Sequence, residues 1–530
     1  METLGRLLIG GSVAARSGIS LGAELVRIGL GRSELTAPRA DHRFRDPAWT
    51  ENLYYRRLLQ VYLAWSRAVE TLVESAEADD WARAAKARFL LGILTTAAAP
   101  TNFLAGNPAA LKRAFETGGT SLVRGARNWA TDVATNGGMP SMVKKGSLKV
   151  GEHLALSPGG VVSRDEVAEL IQYAPTTEQV HERPVLVVPP PIGRYYFLDL
   201  APGRSFVEYA TGRGLQTFML SWRNPSSEQS DWDLDTYAAR IATAIEEVRD
   251  VTGSDDVNIM SFCAGGIMTA GVLSRLAATG ESPVHSVAFA VTLLDFGMSA
   301  PIGAFSSAKL LALARWNSRR EGVITARNMG SVFSWMRPND LVWNYWVNNY
   351  LMGNDPPEFD ILSWNADGTN VPATLHGQFL DIFEHNPLVH PQGMTCLGSP
   401  IDLASITVPA FVAGAINDHL TPWRGTYRTV QLLGGETEFV LSNAGHIASL
   451  VNPPGNPNAT YFTGPTDGRQ PPEEWLSGAE KRSGSWWEPW AEWNVVRSGR
   501  LVPAPRTLGG AAHSVLGPAP GAYVRDEVPA

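Results

Sequence analysis

The chain has only two cysteines in 530 residues, Cys263 and Cys396. That scarcity excludes a disulfide framework and points to a reducing cytoplasm. Neither cysteine stands in a CxxC pair and no HExxH segment occurs, so no metal is expected. No apolar run reaches about 18 residues, which excludes an ordinary transmembrane helix. The opening "METLGRLLIGGSVAARSGISLG" is weakly apolar, is broken by Arg6, Arg16 and several glycines, and lacks a secretory core. A soluble protein is expected, with surface association to something apolar left open. An excess of positive charge is missing too. Lys and Arg number 44 against 52 Asp and Glu, a formal net charge of −8, which weighs against a nucleic-acid partner.

What is present is ample apolar material. Hydrophobic residues make up 44% and charged residues 18%, the balance of a globular protein whose length calls for more than one domain. Residues 1–170 read as a helical domain. "TENLYYRRLLQVYLAWSRAVETLVESAE" and "NPAALKRAFETGGTSLVRGARNWATDV" repeat apolar residues at three- and four-residue spacing, with "APTN" between them as a break and cap. Residues 171–455 read as an α/β domain. Its short apolar strands lie in "RPVLVVPPPIG", "GLQTFMLSW", "DDVNIMSFC", "HSVAFAVTLLD", "VPAFVAGAIND" and "TEFVLSNAGH". They alternate with helices such as "DLDTYAARIATAIEEVRDVTG", which predicts a mainly parallel sheet covered on both faces. The alternation fails over about 296–390, an aromatic, Asn-rich stretch read as a cap inserted at the sheet's carboxyl edge. Residues 456–530 are rich in Pro, Gly and Trp and read as an extended tail.

The chemistry centres on "SFCAGG", residues 261–266. A strand, a sharp turn through small residues and a helix make the nucleophile elbow G-x-S-x-G of α/β-hydrolases, here with Cys263 at the nucleophile position and Ser261 for the first glycine. On this motif alone a buried structural cysteine is the competing reading. The rest of a triad follows in the order that fold requires. Asp418 stands just past the strand in "AGAINDHLTPW", and His446 follows the next strand on the Gly-led loop of "LSNAGHIASLV". His419 competes as base, but its place beside the strand-end acid argues against it. Cys396 lacks an elbow and reads as structural. Oxyanion donors are expected at the backbone N–H of Ala264, after the nucleophile, and of Ile192, the first residue with an N–H after the prolines of "PPPIG".

These stretches resemble the poly(3-hydroxyalkanoate) synthases, bacterial polyester polymerases of the α/β-hydrolase superfamily. The resemblance runs over about residues 40–460 and is carried by "DHRFRDPAWTENLYYRRLLQVYLAW", "ELIQYAPTTEQVHERPVLVVPP", "YYFLDLAPGRSFVEYA", "FSWMRPNDLVWNYWVNNYLMGNDPPEFDILSWNADGTNVPATLHGQFL" and "LSNAGHIASLVNPPGNP". It is nearest to the single-subunit, medium-chain type. It implies Cys263 as nucleophile, Asp418 and His446 as its partners, and a "PP-x-I-N" segment here written Pro189-Pro190-Pro191-Ile192-Gly193. Ser261 and Gly193 depart from the family pattern. The resemblance also implies an α/β-hydrolase fold, a cap that covers the site, and an amino-terminal region tied to granules and to dimer stability. No counterpart is seen for the tail.

The implied reaction polymerises (3R)-3-hydroxyacyl-CoA through acyl-cysteine thioesters, with CoA as leaving group and no cofactor. The implied partners are the growing polyester chain, the granule surface in the cytoplasm and a second copy of the chain. Two rival readings use the same residues. One is a cysteine hydrolase or thioesterase of the dienelactone hydrolase type; the other is a non-catalytic granule-coat protein. The tryptophan cluster "SWWEPWAEW" at 485–493 is expected to dock on the domain rather than touch polymer.

Overall fold

The computed structural model describes residues 11–77, 81–297 and 308–526, without the side chains of 11–14, 74–77, 81–86 and 308. The chain divides into two compact units.

The first unit holds the described residues up to Lys145 together with Gly330–Glu358. Its helices are α1 (Gly11–Gly29), α2 (Leu53–Glu77), α3 (Trp81–Ala97), α4 (Pro108–Glu116) and α5 (Thr120–Thr135). Asn107 caps α4 by accepting the Ala110 N–H, and Pro108 takes the first helical position, where its missing N–H costs nothing. A small core gathers Phe44, Trp49, Leu59 and Tyr62. The aromatic Asn-rich stretch packs in this unit for a steric and a polar reason. A Cβ at Gly125 on α5 would lie 1.9 Å from the Tyr350 carbonyl oxygen, so only glycine permits the approach. The buried Asp132 then accepts hydrogen bonds from the Tyr350 hydroxyl at 2.8 Å and the Ser141 N–H at 3.0 Å. The cap expected at 296–390 is therefore not one element: 330–358 belongs with the helical unit, whereas 308–329 and 359–390 belong with the sheet unit. Residues 298–307 of that expected cap lie outside the described residues.

The second unit is built on an eleven-stranded sheet. In chain order its strands are β1 (Gly159–Arg164), β2 (Ala168–Tyr173), β3 (Val185–Val188), β4 (Thr217–Trp222), β5 (Val257–Phe262) and β6 (Val284–Ala290). They continue with β7 (Ala410–Ala415), β8 (Thr437–Ser442), β9 (Thr460–Gly464), β10 (Glu480–Ser483) and β11 (Gly517–Pro518). The spatial order is β10-β9-β8-β7-β6-β5-β3-β4-β2-β1-β11. The strands from β4 to β8 run parallel, and antiparallel strands flank them on both sides. Helices α6 (Phe206–Gly212), α7 (Leu234–Thr252) and α8 (Ala264–Thr279) follow β3, β4 and β5. Two apolar cores cover the two faces of the sheet. Every residue of β3, β4 and β5 is buried, as expected of parallel strands covered on both sides. This is the α/β-hydrolase arrangement expected from the sequence.

Two expected boundaries move. The helical domain was expected to run to 170, but the sheet unit begins at Gly146 and the hairpin β1–β2 precedes residue 174. Over the described residues 456–526 the expected extended tail is not seen, because β9, β10 and β11 join the main sheet. The reason is aromatic burial. Trp486, Trp487 and Trp490 are at most 1% exposed and surround Phe206, with ring centroids 6.3, 5.3 and 4.5 Å away. Their apolar area outweighs the loop-forming composition around them. The tryptophans dock on the domain, as expected.

The last described segment is fastened by a carboxylate. Glu169, on β2 and fully buried, accepts hydrogen bonds from Arg164 Nε at 2.8 Å and from the backbone N–H groups of Ala522 and Tyr523 at 2.9 and 3.0 Å. Glu169→Ala strands two buried donors and a guanidinium. We expect a loss of about 3–5 kcal/mol, read as a lower denaturant midpoint, with a smaller loss in Glu169→Gln.

Candidate active site

The parallel strand β5 delivers Cys263 to the carboxyl edge of the sheet, where the chain turns into α8. Cys263 takes φ 50° and ψ −124°, a conformation costly for a residue with a Cβ and typical of a nucleophile elbow. Its N–H donates to the Ala290 carbonyl at 3.0 Å, and its own carbonyl accepts from the Gly266 N–H at 3.0 Å and Thr292 Oγ1 at 3.2 Å. The two glycines that follow are sterically required. A Cβ at Gly265 would lie 2.6 Å from the Val188 carbonyl oxygen, and one at Gly266 would lie 2.2 Å from Thr292 Oγ1. Ser261 explains itself differently. It is fully buried in β5 and its hydroxyl donates to the Ala288 carbonyl on β6 at 2.9 Å. Serine at this position thus leaves the elbow in place.

Asp418 lies three residues beyond the end of β7, and its turn is self-fastened. Oδ1 accepts the N–H groups of Leu420 and Thr421 at 2.8 and 2.9 Å, while Oδ2 accepts the Thr421 hydroxyl at 2.7 Å. The same Oδ2 lies 2.7 Å from Nδ1 of His446, which opens α9 (His446–Leu450) after β8. His446 also interacts electrostatically with Cys263. With Nδ1 engaged by Asp418, Nε2 is the ring nitrogen left for Cys263. The structure thus brings Cys263, His446 and Asp418 together at one site. The imidazole on Asp418 is His446, not the adjacent His419.

Both partners are buried and their charges sustain one another. Burial alone disfavours the imidazolium of His446, but the charges of Asp418 and Cys263 and its hydrogen bond to Asp418 raise its pKa well above the ordinary value. Burial likewise pushes the Asp418 carboxyl up, yet the His446 charge and the bonds from His446 and Thr421 bring it below the usual range. This is an arrangement that can take a proton from a thiol and return it to a leaving group. Cys396 is different. It is fully buried, its sulfur filling the space that a Cβ at Gly271 would need, and burial, with Asp235 and Asp233 nearby, pushes its thiol up to about 12. A protonated, enclosed thiol suits the structural role expected for it.

The two expected oxyanion donors lie at the elbow and on the loop after β3. Ala264 is the first residue of α8, so its N–H has no intrahelical acceptor. Ile192 packs against the same apolar core as Cys263. Its loop is fixed at several points: Trp222 Nε1 donates to the Pro189 carbonyl at 2.8 Å, Thr369 Oγ1 to Pro191 at 3.1 Å, and Trp364 Nε1 to Arg194 at 2.7 Å. A Cβ at Gly193 would lie 3.1 Å from the Trp364 ring, which occupies the space a side chain would need there.

Several of these residues were not legible beforehand. Thr421 sits in the Thr-Pro turn that marked the end of the Asp418 loop, and its hydroxyl was the available signal. Thr292, Trp364 and Thr369 gave none, because only the fold brings them to the elbow and the Ile192 loop.

Comparison with known proteins gives the family of the chain. Residues 40–210 match the family model described as poly-beta-hydroxybutyrate polymerase (PhaC) N-terminus, and residues 198–453 match the alpha/beta hydrolase fold. The chain is 45% identical over 505 residues to poly(3-hydroxyalkanoate) polymerase 1 of Ectopseudomonas oleovorans, covering 95% of this chain and 90% of that one. It is 38% identical over 502 residues to the poly(3-hydroxyalkanoate) polymerase subunit PhaC of Cupriavidus necator, covering 93% and 85%. Against the poly(3-hydroxyalkanoate) polymerase of Methylorubrum extorquens the identity is 37%, with 92% and 81% covered. The chain belongs to the poly(3-hydroxyalkanoate) polymerase family.

Proposed function

We propose that this chain polymerises (3R)-3-hydroxyacyl-CoA into poly(3-hydroxyalkanoate) and releases CoA, with the acyl groups carried on Cys263. The observation that supports the reading is a strained elbow thiol beside a buried, hydrogen-bonded His446–Asp418 pair, in a chain of this family. His446 takes the Cys263 proton and the thiolate attacks the acyl carbonyl. The Ala264 and Ile192 N–H groups hold the oxyanion; the tetrahedral species then expels CoA, which receives its proton from His446. The 3-hydroxyl of another acyl group next attacks the acyl-cysteine. His446 removes the hydroxyl proton, a C–O bond forms, and Cys263 is released.

Thioester exchange onto cysteine is close to thermoneutral, so loading creates no trap. Ester formation from a thioester is downhill and drives elongation. A serine in the elbow would hold the acyl group as an oxygen ester, and transfer to the next hydroxyl would lose that driving force. Asp418 orients His446 and stabilises its charge, or acts toward the substrate hydroxyl directly. No cofactor takes part, since CoA enters and leaves with the substrate.

The same reading places the enzyme in the cytoplasm at the granule surface, acting as a homodimer. Among the described residues, no helix is long and apolar enough to cross a membrane. The helical unit exposes Phe115 and Val123, 91% and 71% accessible, which suits attachment to an apolar body. The deciding assay supplies purified enzyme with 3-hydroxybutyryl-CoA and 3-hydroxyoctanoyl-CoA and follows CoA and insoluble product. CoA with polymer is expected, faster from the longer substrate. CoA with free hydroxy acid would instead identify a hydrolase, and no CoA release a coat protein.

A further inference from the structure

The loop that carries Ile192 begins with three prolines, which accept hydrogen bonds at Pro189 and Pro191 but donate none, so every hydrogen bond that the loop itself donates comes from the residues that follow. Arg194 is the most heavily engaged of them. Its guanidinium is 5% exposed. Nε donates to Asp367 Oδ1 at 2.8 Å, one terminal nitrogen to the Tyr523 carbonyl at 3.3 Å, and the other to Asp526 Oδ2 at 2.6 Å. The neighbouring Tyr195 hydroxyl donates to the Pro520 carbonyl at 3.3 Å. The segment that receives these bonds is itself anchored. Gly521, at φ +86°, is moulded against Glu169, where a Cβ would lie 2.4 Å from Oε2. On its other side the loop meets the segment around Asp367, through the backbone bridge Gly193–Gly368.

We propose that Arg194 is a positioning residue that ties the Ile192 loop to the C-terminal segment 520–526 and to Asp367, and so sets the second oxyanion donor. The inference rests on the reading of Ile192 as that donor. An oxyanion donor must be held to about half an ångström, and a loop achieves this only through locked neighbours. A buried guanidinium is costly unless its nitrogens are engaged, so the three bonds form a single arrangement that fixes the backbone two residues from Ile192. The two carboxylates are each more than a third exposed, 38% for Asp367 and 51% for Asp526, so neither pair alone would suffice.

The test compares Arg194→Ala, Arg194→Lys and Asp526→Ala with the wild type in the full chain. Two rates are read for each: turnover of 3-hydroxyacyl-CoA, with kcat and KM separated, and alkylation of Cys263 by iodoacetamide, which develops no oxyanion. Arg194→Ala is expected to lower kcat about 10- to 100-fold with KM little changed and alkylation at the wild-type rate. Arg194→Lys should recover part of the loss, and Asp526→Ala should show a smaller loss of the same kind. Wild-type kcat in both alanine variants overturns the proposal. So do equal losses of turnover and alkylation in Asp526→Ala, where Arg194 keeps its other two partners. If Arg194→Ala does not fold, Arg194→Lys and Asp526→Ala decide by the same criterion. Mass spectrometry of the wild type after a substrate pulse separates the two layers: no acyl group on Cys263 removes the functional reading, whereas an acylated Cys263 with unaffected variants removes only the role of Arg194.

Discussion

Cys263→Ala is expected to reduce CoA release from 3-hydroxyacyl-CoA to background, a loss of about 10⁴-fold or more, and to abolish polymer. The size follows from what the thiol does. Without it there is no covalent intermediate, and the oxyanion donors can only favour attack by water. The fold should survive, because Cys263 is held by its backbone, through Ala290, Gly266 and Thr292. Removing the thiol leaves those bonds intact. Cys263→Ser is the sharper comparison. It keeps the elbow but yields an oxygen ester, so elongation should fall further than acylation does. The measurements are CoA release, product mass and labelling at residue 263. Polymer from Cys263→Ala at the wild-type rate would end the mechanism.

Asp418→Asn should lower kcat by about 10²–10⁴-fold, with geometry largely kept. The carboxylate meets Nδ1 of His446 at 2.7 Å and favours the tautomer whose Nε2 faces Cys263. Asparagine can present an N–H there and select the wrong tautomer. The same substitution has a signature in stability. Asp418 lies below its ordinary carboxylate value in the folded state, so its contribution is present above the unfolded value of 3.8 and is lost as pH falls through the folded one. His446 is raised above 6.5, so its contribution is complete below that pH and is lost as pH rises toward the folded value. The stability difference between wild type and Asp418→Asn should therefore be widest between about pH 4.5 and 6 and shrink on both sides. Denaturant titration across pH measures it. A difference that grows steadily up to pH 9 would show that His446 is not charged by this pair.

The sheet was legible because each parallel strand is a short, fully apolar run, and such runs leave few assignments when helices alternate with them. The elbow was legible for a related reason. Two adjacent glycines after a strand mark where α8 must pass within contact of Val188 and Thr292. The strand-order rule then placed Asp418 and His446, although 28 residues separate them. Other parts were hidden. "GGVVSRDEVAELIQY" carries a buried glutamate in its second strand, and a charge there masks the pattern until Ala522 and Tyr523 supply its partners. The segment after 456 is dense in proline and glycine, which set its turns and conceal how much tryptophan it buries. The stretch 330–358 pairs with α5 through Gly125 and Asp132, contacts with no local trace.

The sequence by itself determined the α/β class, the elbow thiol and the order of its partners, because these depend on local pattern and on a rule of connectivity. Only the tertiary structure decided what Ser261 does, which segments belong to which unit, and what holds the Ile192 loop. Each of those turns on a contact between residues far apart in the chain: Ser261 with Ala288, Asp132 with Tyr350, Arg194 with Asp526. A buried polar group can be read for its partner only once the fold has brought that partner to it.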